Sequence, residues 1–466
     1  MDERDQVRMR GRSGGGAATT ARLPSEIRVL VAAAFVIAIG FGLVAPALPA
    51  FARSFDVGVT AVSLVISLFA VFRLGFAPVA GRLVSRFGEL RVYVTGLTIS
   101  AVSSLLCAFA ANYAQLLFFR AFGGIGSTMF TVSAISLLVR LAPPAARGRA
   151  SGAWATGFLL GNIAGPLLGG LLIGFGLRVP FLVYAAAVVI ALLLTGVMLR
   201  GRIGAPVSSD PDAEPSATFG QAMRHPTYRA ALASNFANGW AVFGVRVAMV
   251  PLFVVEVLRE GDAWAGYALA VFAVGNAATL LLSGRWADRA GRKPPVIAGL
   301  VVSAIGTAAL GLAGSLPLFL AISLVCGVGS GLVNPAMTAA VADVIGVRAR
   351  GGTVLAGFQM AGDLGAIAGP LVAGAVAEQV GYGWAFGVTG AVSVVAFALW
   401  ARAPETRPAG GSAPADDVIP DVVAAEAGPT GAAPRGSAEA PRGSAAALRG
   451  SDAAPRPSGS RGARRR

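Results

Sequence analysis

Residues 284–293 read GRWADRAGRK and end a long apolar run. A related stretch, GRLVSRFG, ends another apolar run 203 residues earlier, at residues 81–88. Both stretches begin with glycine, carry arginines inside and have a second glycine at their eighth position. Glycines and arginines at matched spacing after two apolar runs indicate that a large part of the chain is duplicated.

Two further pairs of segments support the duplication. Residues 161–167, GNIAGPL, match residues 365–371, GAIAGPL, at a distance of 204 residues. Residues 124–127, GIGS, match residues 327–330, GVGS, at a distance of 203 residues. Three matched pairs in the same order indicate that the chain consists of two similar membrane-embedded halves, related by an internal duplication. Two similar halves can rock about a site between them, which is how many transporters work.

The composition is that of a membrane protein. Hydrophobic residues make up 55% of the 466 residues and charged residues only 13%, whereas a water-soluble protein of this length needs more charge to cover its surface. Apolar stretches of about 20 residues, each long enough to cross a bilayer, recur along the chain. We expect an all-α membrane protein with 12 transmembrane helices in two pseudo-symmetric six-helix bundles. The expected spans are residues 28–50, 60–81, 91–111, 114–139, 149–173, 179–199, 230–255, 264–286, 294–314, 317–341, 352–376 and 382–401.

The net charge of +15 does not indicate a nucleic-acid partner. Arginines lie in short connectors and in the two tails, without a basic domain that also carries aromatic residues. Cys107 and Cys326 lie inside apolar runs, so we expect small core residues rather than a disulfide. The sequence has neither metal-ligand spacing nor a Gly-x-x-x-x-Gly-Lys-Ser/Thr phosphate loop. We therefore expect no metal, no cofactor and no ATP-driven mechanism.

Arginines also predict the orientation of the spans. Connectors on one side of the expected bundle are rich in arginine, whereas those on the other side hold only Arg53, Arg178 and Arg259. Because cytoplasmic loops carry the excess of positive charge, we expect both termini in the cytoplasm of a multi-pass protein of the cell (plasma or inner) membrane. The first span then acts as an uncleaved signal anchor.

The same pattern divides the chain into five regions. We expect a cytoplasmic N-terminal arm, an N-terminal six-helix bundle, a cytoplasmic linker, a C-terminal six-helix bundle and a disordered cytoplasmic tail. Their respective bounds are residues 1–26, 27–200, 201–228, 229–402 and 403–466.

The two quoted stretches resemble motif A of the major facilitator superfamily, and the resemblance extends over nearly all of residues 27–402. The first copy has Ser85 where the family usually has aspartate. The resemblance implies that these residues latch one conformation, with Asp288 pairing with an arginine or a helix terminus. Arginines that merely set the topology are the alternative. The motif residues are Gly284, Asp288, Arg289, Gly291 and Arg292 in the second copy and Gly81, Arg86 and Gly88 in the first.

Span four resembles motif B of the same family through Leu117, Arg120, Gly124 and Gly126. Arg120 lies inside the expected hydrocarbon region, where a lone charge is expensive and usually functional. In related proton-coupled carriers this arginine is associated with proton transfer. A structural arginine bonded to helix carbonyls is the alternative.

Span five resembles motif C, which is the antiporter motif of drug–proton exchangers. Glycines at four-residue spacing flatten a helix face for close packing, and a proline can bend the helix there. The resemblance implies export, but span eleven partly repeats the pattern, so shared helix packing is the alternative. The motif residues are Gly152, Gly161, Gly165, Pro166, Gly169 and Gly170.

Charged and polar residues inside the spans are candidates for a transport site. Asp363, near the middle of span eleven, is the best candidate for a carboxylate that takes up a proton, because burial favours its neutral form. An ion pair with Arg246 or Arg73 that fixes helix packing is the alternative. The proton-coupling candidates are Asp363, Arg120, Arg73 and Arg246. Candidates for a central cavity, each of which could equally be a satisfied interhelical group, are Asn235, Asn238, Trp240, Asn334 and Gln359.

We expect a secondary active transporter and not an enzyme, because one histidine and no clustered nucleophile or base leave little for catalysis. The leading hypothesis is proton-coupled efflux, by alternating access, of a small amphipathic molecule or drug. Span one lacks the acidic residue of many drug–proton exchangers, so a neutral or anionic substrate fits as well as a cation. Its partners are then a small-molecule substrate, protons and membrane lipids, and we expect a monomer. Proton-coupled uptake of a metabolite such as a sugar or organic acid is the alternative. A third hypothesis is a transporter-like receptor that binds a ligand without transporting it.

Overall fold

The described part of the chain contains 12 helices long and apolar enough to cross a membrane, which confirms the predicted fold class. The computed structural model describes residues 24–142, 147–199, 218–345 and 352–406. Most of the expected N-terminal arm, linker and C-terminal tail lies outside the described residues, so their predicted bounds stay predictions.

We number the spans α1 to α12. Their bounds are α1 Ser25–Arg53, α2 Val59–Phe87, α3 Glu89–Ala108, α4 Tyr113–Leu141, α5 Arg147–Ile173, α6 Val179–Leu199, α7 Pro226–Glu256, α8 Asp262–Ala290, α9 Lys293–Leu310, α10 Leu316–Ile345, α11 Gly352–Gln379 and α12 Tyr382–Arg402. A short helix, Phe219–Arg224, precedes α7. Inside α7, the segment Gly239–Val245 is π-helical.

The two arginine-rich stretches are mostly helical. Helix α2 continues through the first stretch to Phe87, and α8 continues through the second to Ala290. Each helix stops at a glycine in the left-handed region, Gly88 at φ 83° and Gly291 at φ 100°. Glycine adopts this conformation without a Cβ clash, so the last glycine of each stretch makes the turn.

The duplication in the sequence corresponds to a duplicated helix packing. In the first half α1 packs against α5 and α6, α2 against α4, and α3 against α4 and α6. In the second half α7 packs against α11 and α12, α8 against α10, and α9 against α10 and α12. Adding six to each helix number of the first half gives the pairing of the second. The chain is therefore built from two six-helix halves with the same internal arrangement.

The glycines of α5 allow its backbone to approach α1. A methyl group added at Gly165 would lie 2.6 Å from the Cα of Gly42 and 2.6 Å from the carbonyl oxygen of Ile39. Gly169 approaches the backbone of Leu43 in the same way. In the second half Gly365 and Gly369 bring α11 equally close to the backbone of α7. Small residues at four-residue spacing thus fix the same helix pair in both halves.

An ion pair occurs at the same place in each half with its charges exchanged. In the first half Arg140, in the last turn of α4, donates to Glu89, in the first turn of α3, at 2.7 Å. In the second half Arg292 donates to Asp343 at 3.1 Å. Arg292 lies 203 residues after Glu89, and Asp343 lies 203 residues after Arg140. Both halves therefore carry opposite charges at these two positions, with opposite polarity.

The two halves contact each other at the end of the bundle that lies opposite the described chain ends. Near this end, Ser67 of α2 donates to the carbonyl of Ile367 in α11 at 2.8 Å, and the amide of Thr60 donates to Glu378 at 2.9 Å. Helices α5 and α8 also meet there, where Gly170 approaches the carbonyl of Ala263. We call this region, from Arg53 to Thr60 in the first half and from Glu256 to Asp262 in the second, the closed end.

We expect Gly165→Val to lower the free energy of unfolding by about 1–3 kcal/mol, because the added methyl groups collide with the α1 backbone. Gly152→Val is the matched control from the same motif, since a methyl group at Gly152 would meet no atom within 4 Å. Thermal unfolding of the purified protein in detergent measures both. Equal stability of the two variants would contradict the packing described for α5.

We expect Arg140→Asp to destabilise the protein by about 3 kcal/mol, because Glu89 then faces a second acid in a largely buried site. The double variant Glu89→Arg with Arg140→Asp reproduces the polarity of the second half and should recover more than half of that loss. Unfolding of the two single variants and the double variant forms a double-mutant cycle. A double variant as unstable as the sum of both singles would show that the polarity is not interchangeable.

Candidate functional site

An ion pair inside the spans joins the two halves. Arg73 of α2 places its Nη2 3.5 Å from Oδ1 of Asp363 in α11. The two side chains are 33% and 20% exposed, so the pair lies in a region that is neither sealed nor open. Of the two partners considered for Asp363 in the sequence, the structure brings Arg73 to it and not Arg246.

Helix α4 positions the backbone that carries Arg73. The hydroxyl of Thr128 donates to the carbonyl oxygen of Arg73 at 2.7 Å. One turn earlier, Gly124 lies against the carbonyl of Phe69 and the amide of Arg73, where a side chain would collide with α2. The motif B glycine therefore fixes α2 against α4 at the level of the ion pair.

Arg120 contacts α2 and α1, each through an aromatic ring. Its guanidinium carbon lies 4.3 Å from the ring centre of Phe69 and 5.7 Å from that of Phe41. The residue is 7% exposed, and its Nε has no hydrogen-bond partner among the described residues. A cation over an aromatic face gains about 2 kcal/mol when desolvated. Arg120 is thus held by aromatic ring faces, one of which, Phe69, lies one turn before Arg73 on α2. Hydrogen bonds from Arg120 to helix carbonyls, the structural alternative, are not found among the described residues.

Arg246 is held in a similar way in the second half. Its guanidinium carbon lies 3.7 Å from the ring centre of Phe272, and the residue is 6% exposed. Phe272 lies 203 residues after Phe69, so equivalent rings support both arginines, although Arg246 extends from α7 and Arg120 from α4. Arg246 points into the second half and is separate from the Arg73–Asp363 pair.

The predicted latch residues of the second half form a network with acids that sequence reasoning missed. Arg292 binds Asp288 at 2.6 Å and Asp343 at 3.1 Å. Glu405, after α12, accepts hydrogen bonds from the backbone amides of Arg292 at 2.7 Å and Lys293 at 3.0 Å. The network joins the ends of α8, α9, α10 and α12 within one half. Asp343 lies in the last turn of α10, and Glu405 follows α12. A position beside the end of a span was the only signal in the sequence for either acid.

The net effect of this network on Arg292 is a raised pKa. Burial alone would lower the pKa of the guanidinium, but hydrogen bonds and charge from Asp288 and Asp343 outweigh it. Arg292 therefore stays charged at any accessible pH, and the network can be weakened only by protonating its acids.

The first half lacks an acid at the position of Asp288. Ser85 instead donates to the carbonyl of Arg82 at 2.9 Å, and Arg86 lies over the ring of the neighbouring Phe87 at 5.4 Å. Glu89 supplies the acid of this half from the following helix, in its pair with Arg140. The Glu89–Arg140 pair corresponds to Arg292–Asp343, so the Asp288–Arg292 contact of the second half has no counterpart at Ser85 among the described residues.

The antiporter-type motif of α5 serves two neighbours. Gly161, Gly165 and Gly169 approach α1, whereas Gly170 approaches Ala263 and Gly266 of α8 in the other half. The backbone carbonyl of Pro166 lies against Gly266 as well. A methyl group at Gly152 would meet nothing within 4 Å. The motif residues thus contribute to helix packing within the first half and to the contact between the two halves.

The predicted cavity residues do not gather in one place. Asn235 donates to the carbonyl of Phe358 at 2.6 Å, and Trp240 donates to Thr389 at 3.3 Å, so both are satisfied within the second half. Asn334 donates to the carbonyl of Ser330 at 3.2 Å. Gln359 is exposed. Asn238 accepts from Ser330 at 3.5 Å and lines a cavity inside the second half.

A second cavity, of about 160 Å³, lies between the halves at the closed end. It is lined by Arg53 and Glu256, whose side chains form an ion pair of 2.7 Å between α1 and α7. The hydroxyl of Tyr382 donates to the other carboxylate oxygen of Glu256 at 2.6 Å. Glu256, the last residue of α7, therefore joins the two halves.

Relatives with curated functions resemble parts of this chain. Multidrug resistance protein 2 of Bacillus subtilis (strain 168) is 28% identical over 171 residues, which are 37% of this chain and 42% of that protein. Multidrug resistance protein 1 of the same organism is 33% identical over 181 residues, which are 37% of this chain and 45% of that protein. These alignments span less than half of each relative. The synaptic vesicular amine transporter of Bos taurus is 25% identical over 338 residues, or 72% of this chain and 64% of that protein.

Solved structures share the fold at lower identity. A bacterial homologue of the human lysosomal transporter Spinster, in an inward-facing and occupied conformation, superposes with a TM-score of 0.68 at 18% identity, covering 80% of this chain and 95% of that one. The human organic anion transporter MFSD10 superposes with a TM-score of 0.60 at 19% identity, covering 81% of this chain and all of that one. At these identities the likeness shows the fold alone.

The family model described as Major Facilitator Superfamily matches residues 30–267 and again residues 231–449. The two matches together cover most of the chain. With the twelve spans and the repeated helix pairing, this match establishes that the chain is a multi-pass membrane protein and belongs to the Major Facilitator Superfamily.

Proposed function

We propose that this transporter exports a small amphipathic molecule in exchange for protons by alternating access. The observation that carries the proposal is the Arg73–Asp363 ion pair, which joins the halves inside the spans at 3.5 Å. A carboxylate in that place can change the contact between the halves by taking up one proton. The names of the two Bacillus relatives support a drug-like substrate.

The ion pair gives protonation a mechanical effect. While Asp363 is charged, its attraction to Arg73 stabilises the contact between α2 and α11 and hence the closed end. A proton on Asp363 removes that attraction and leaves Arg73 facing a neutral acid. The closed end then becomes easier to open, because the remaining contacts between the described parts of the halves contain no second charge pair at this depth. They include the contacts of Arg53, Thr60 and Ser67 and the packing of α5 against α8.

The same pair gives the cycle a direction. With both termini in the cytoplasm, as the arginines of the connectors predict, the closed end faces outside and the present conformation is open inward. A proton taken up at Asp363 from outside is released inward, because Arg73 favours the charged carboxylate whenever the closed end forms. Substrate binding from inside must then offset the loss of the pair before the halves open outward. Proton and substrate therefore occupy the protein in turn.

Arg120 and the latch residues have supporting roles in this proposal. Arg120 contacts Phe69, one turn from Arg73 on α2, so a movement of α2 changes its surroundings. The latch residues hold the ends of the spans opposite the closed end. In the second half, Asp288, Arg289 and Arg292 would contact the first half when that opposite end closes. The family fold favours a single chain as the working unit, in a cell membrane.

We expect Asp363→Asn to lose pH-gradient-driven transport by at least about tenfold, which corresponds to about 1.4 kcal/mol in the coupled step. A panel of drug-like substrates in everted vesicles, with a pH-sensitive dye, measures it. Exchange of substrate for substrate, which moves no net proton, should remain. Asp56→Asn is the matched control, because Asp56 lies in a loop at φ 57°, a conformation that asparagine adopts readily. Full gradient-driven transport by Asp363→Asn would remove the proton carrier from the proposal. Wild-type transport only out of the everted vesicles, which corresponds to import into the cell, would indicate uptake.

We expect Arg120→Met to reduce the transport rate about tenfold while Arg120→Lys retains most of it, since lysine keeps a cation near Phe69. The readout is the initial rate in proteoliposomes together with the unfolding temperature of each variant. A slow but stable Arg120→Met protein supports a role in transport. A variant that transports at the wild-type rate would assign the arginine to packing alone.

A further inference from the structure

A small cavity of about 30 Å³ lies inside the second half, away from the contact between the halves. Helices α7, α8, α9, α10 and α12 contribute to its wall. Arg246 is the one charged residue in the lining, and the polar remainder consists mainly of hydroxyl groups and one amide. These polar groups are Ser234, Asn238, Ser303, Thr307, Ser330 and Ser393.

Arg246 faces this cavity without a counter-charge. Its Nε and Nη1 are buried and have no hydrogen-bond partner among the described residues. In the same part of the chain, no carboxylate comes within ion-pair distance of it, whereas Arg53, Arg73 and Arg292 each have one. The ring of Phe272 stabilises one face of the guanidinium but offers nothing to the N–H groups in its plane.

The π-helical segment of α7 directs Arg246 into the cavity. A π turn holds more residues than an α turn, and such turns are frequent at functional sites. Asn238, Val242 and Arg246, spaced by four residues across the segment Gly239–Val245, all line the cavity. An uninterrupted α-helix would turn the last of these positions progressively away from the first. The irregular turn therefore brings the guanidinium and the amide of Asn238 to one wall.

We propose that this cavity binds one small monovalent anion, a halide or a carboxylate group, through the free N–H groups of Arg246. A guanidinium provides the charge and two directed donors, and the hydroxyls of Ser330 and Thr307 complete a polar wall. The anion neutralises a cation that has no acid of its own, and so stabilises the second half. The site is separate from Asp363 and requires neither substrate nor a proton gradient.

The test is the unfolding temperature of the purified full-length protein as chloride or formate is added. Sodium isethionate, whose anion is large, keeps the ionic strength constant, so that a general salt effect is excluded. Binding to the folded state alone raises stability with the logarithm of the anion concentration above its dissociation constant. We expect such a rise with chloride, with formate or with both, and the comparison tells a halide site from a carboxylate site.

Two variants locate the response at the cavity. Arg246→Met should abolish it. Asn238→Asp places a carboxylate on the cavity wall and should abolish it as well, while leaving the anion-free protein at least as stable as the wild type. Because Asn238→Asp adds the missing charge, it tests the site even if Arg246→Met fails to fold.

Asn334→Asp is the matched control. It adds the same charge to α10 one turn after Ser330, at a residue outside the cavity lining, and should leave the response intact. A wild-type protein that responds to neither anion would overturn the proposal. So would a response that persists in Asn238→Asp and Arg246→Met. Since no substrate is used, this result does not depend on whether the protein exports anything.

Discussion

A charge inside a bilayer is stable only when another group compensates for the water it has lost. The described spans satisfy this constraint in two ways. Arg73 has Asp363 at 3.5 Å, a partner from the other half. Arg120 and Arg246 have aromatic rings, Phe69 and Phe272, at equivalent places in the two halves. The first solution couples the position of the halves to a proton, and the second holds a permanent cation in place.

The duplication explains both what the halves share and how they differ. Close helix pairs depend on glycines, so the α1–α5 pair and the α7–α11 pair retain them at matching positions. The ends of the spans need only opposite charges, so the pair Glu89–Arg140 recurs as Arg292–Asp343 with its polarity exchanged. Because the fold tolerates different charges at these positions, the two halves can differ in their charged residues. The loss of an acid at Ser85 and the appearance of Arg246 are such differences.

The sequence was sufficient for the helices and for the repeat, because hydrophobic length and glycine spacing are local properties. It also identified Asp363 and Arg120 as unusual, since a charge within an apolar run is visible without a structure. It did not show which partner Asp363 takes, because Arg73 and Arg246 are both far away along the chain and their distances depend on how helices pack. Asp343, Glu405 and Glu256 were missed or undervalued for the same reason. Asn235 and Trp240 were readable as polar, but their hydrogen bonds to Phe358 and Thr389 depend on the register between helices.

The central claim is that the charge on Asp363 holds the closed end together, and a distance across that end tests it directly. Phe109 and Leu312 are exposed, lie 203 residues apart at the closed ends of α3 and α9, and take part in none of the ion pairs. Spin labels on cysteines at these two positions report the separation of the halves by pulsed electron resonance. The account predicts a longer distance in Asp363→Asn than in the wild type at neutral pH, and a wild-type distance that lengthens on acidification. The same distance in both proteins at every pH would contradict it.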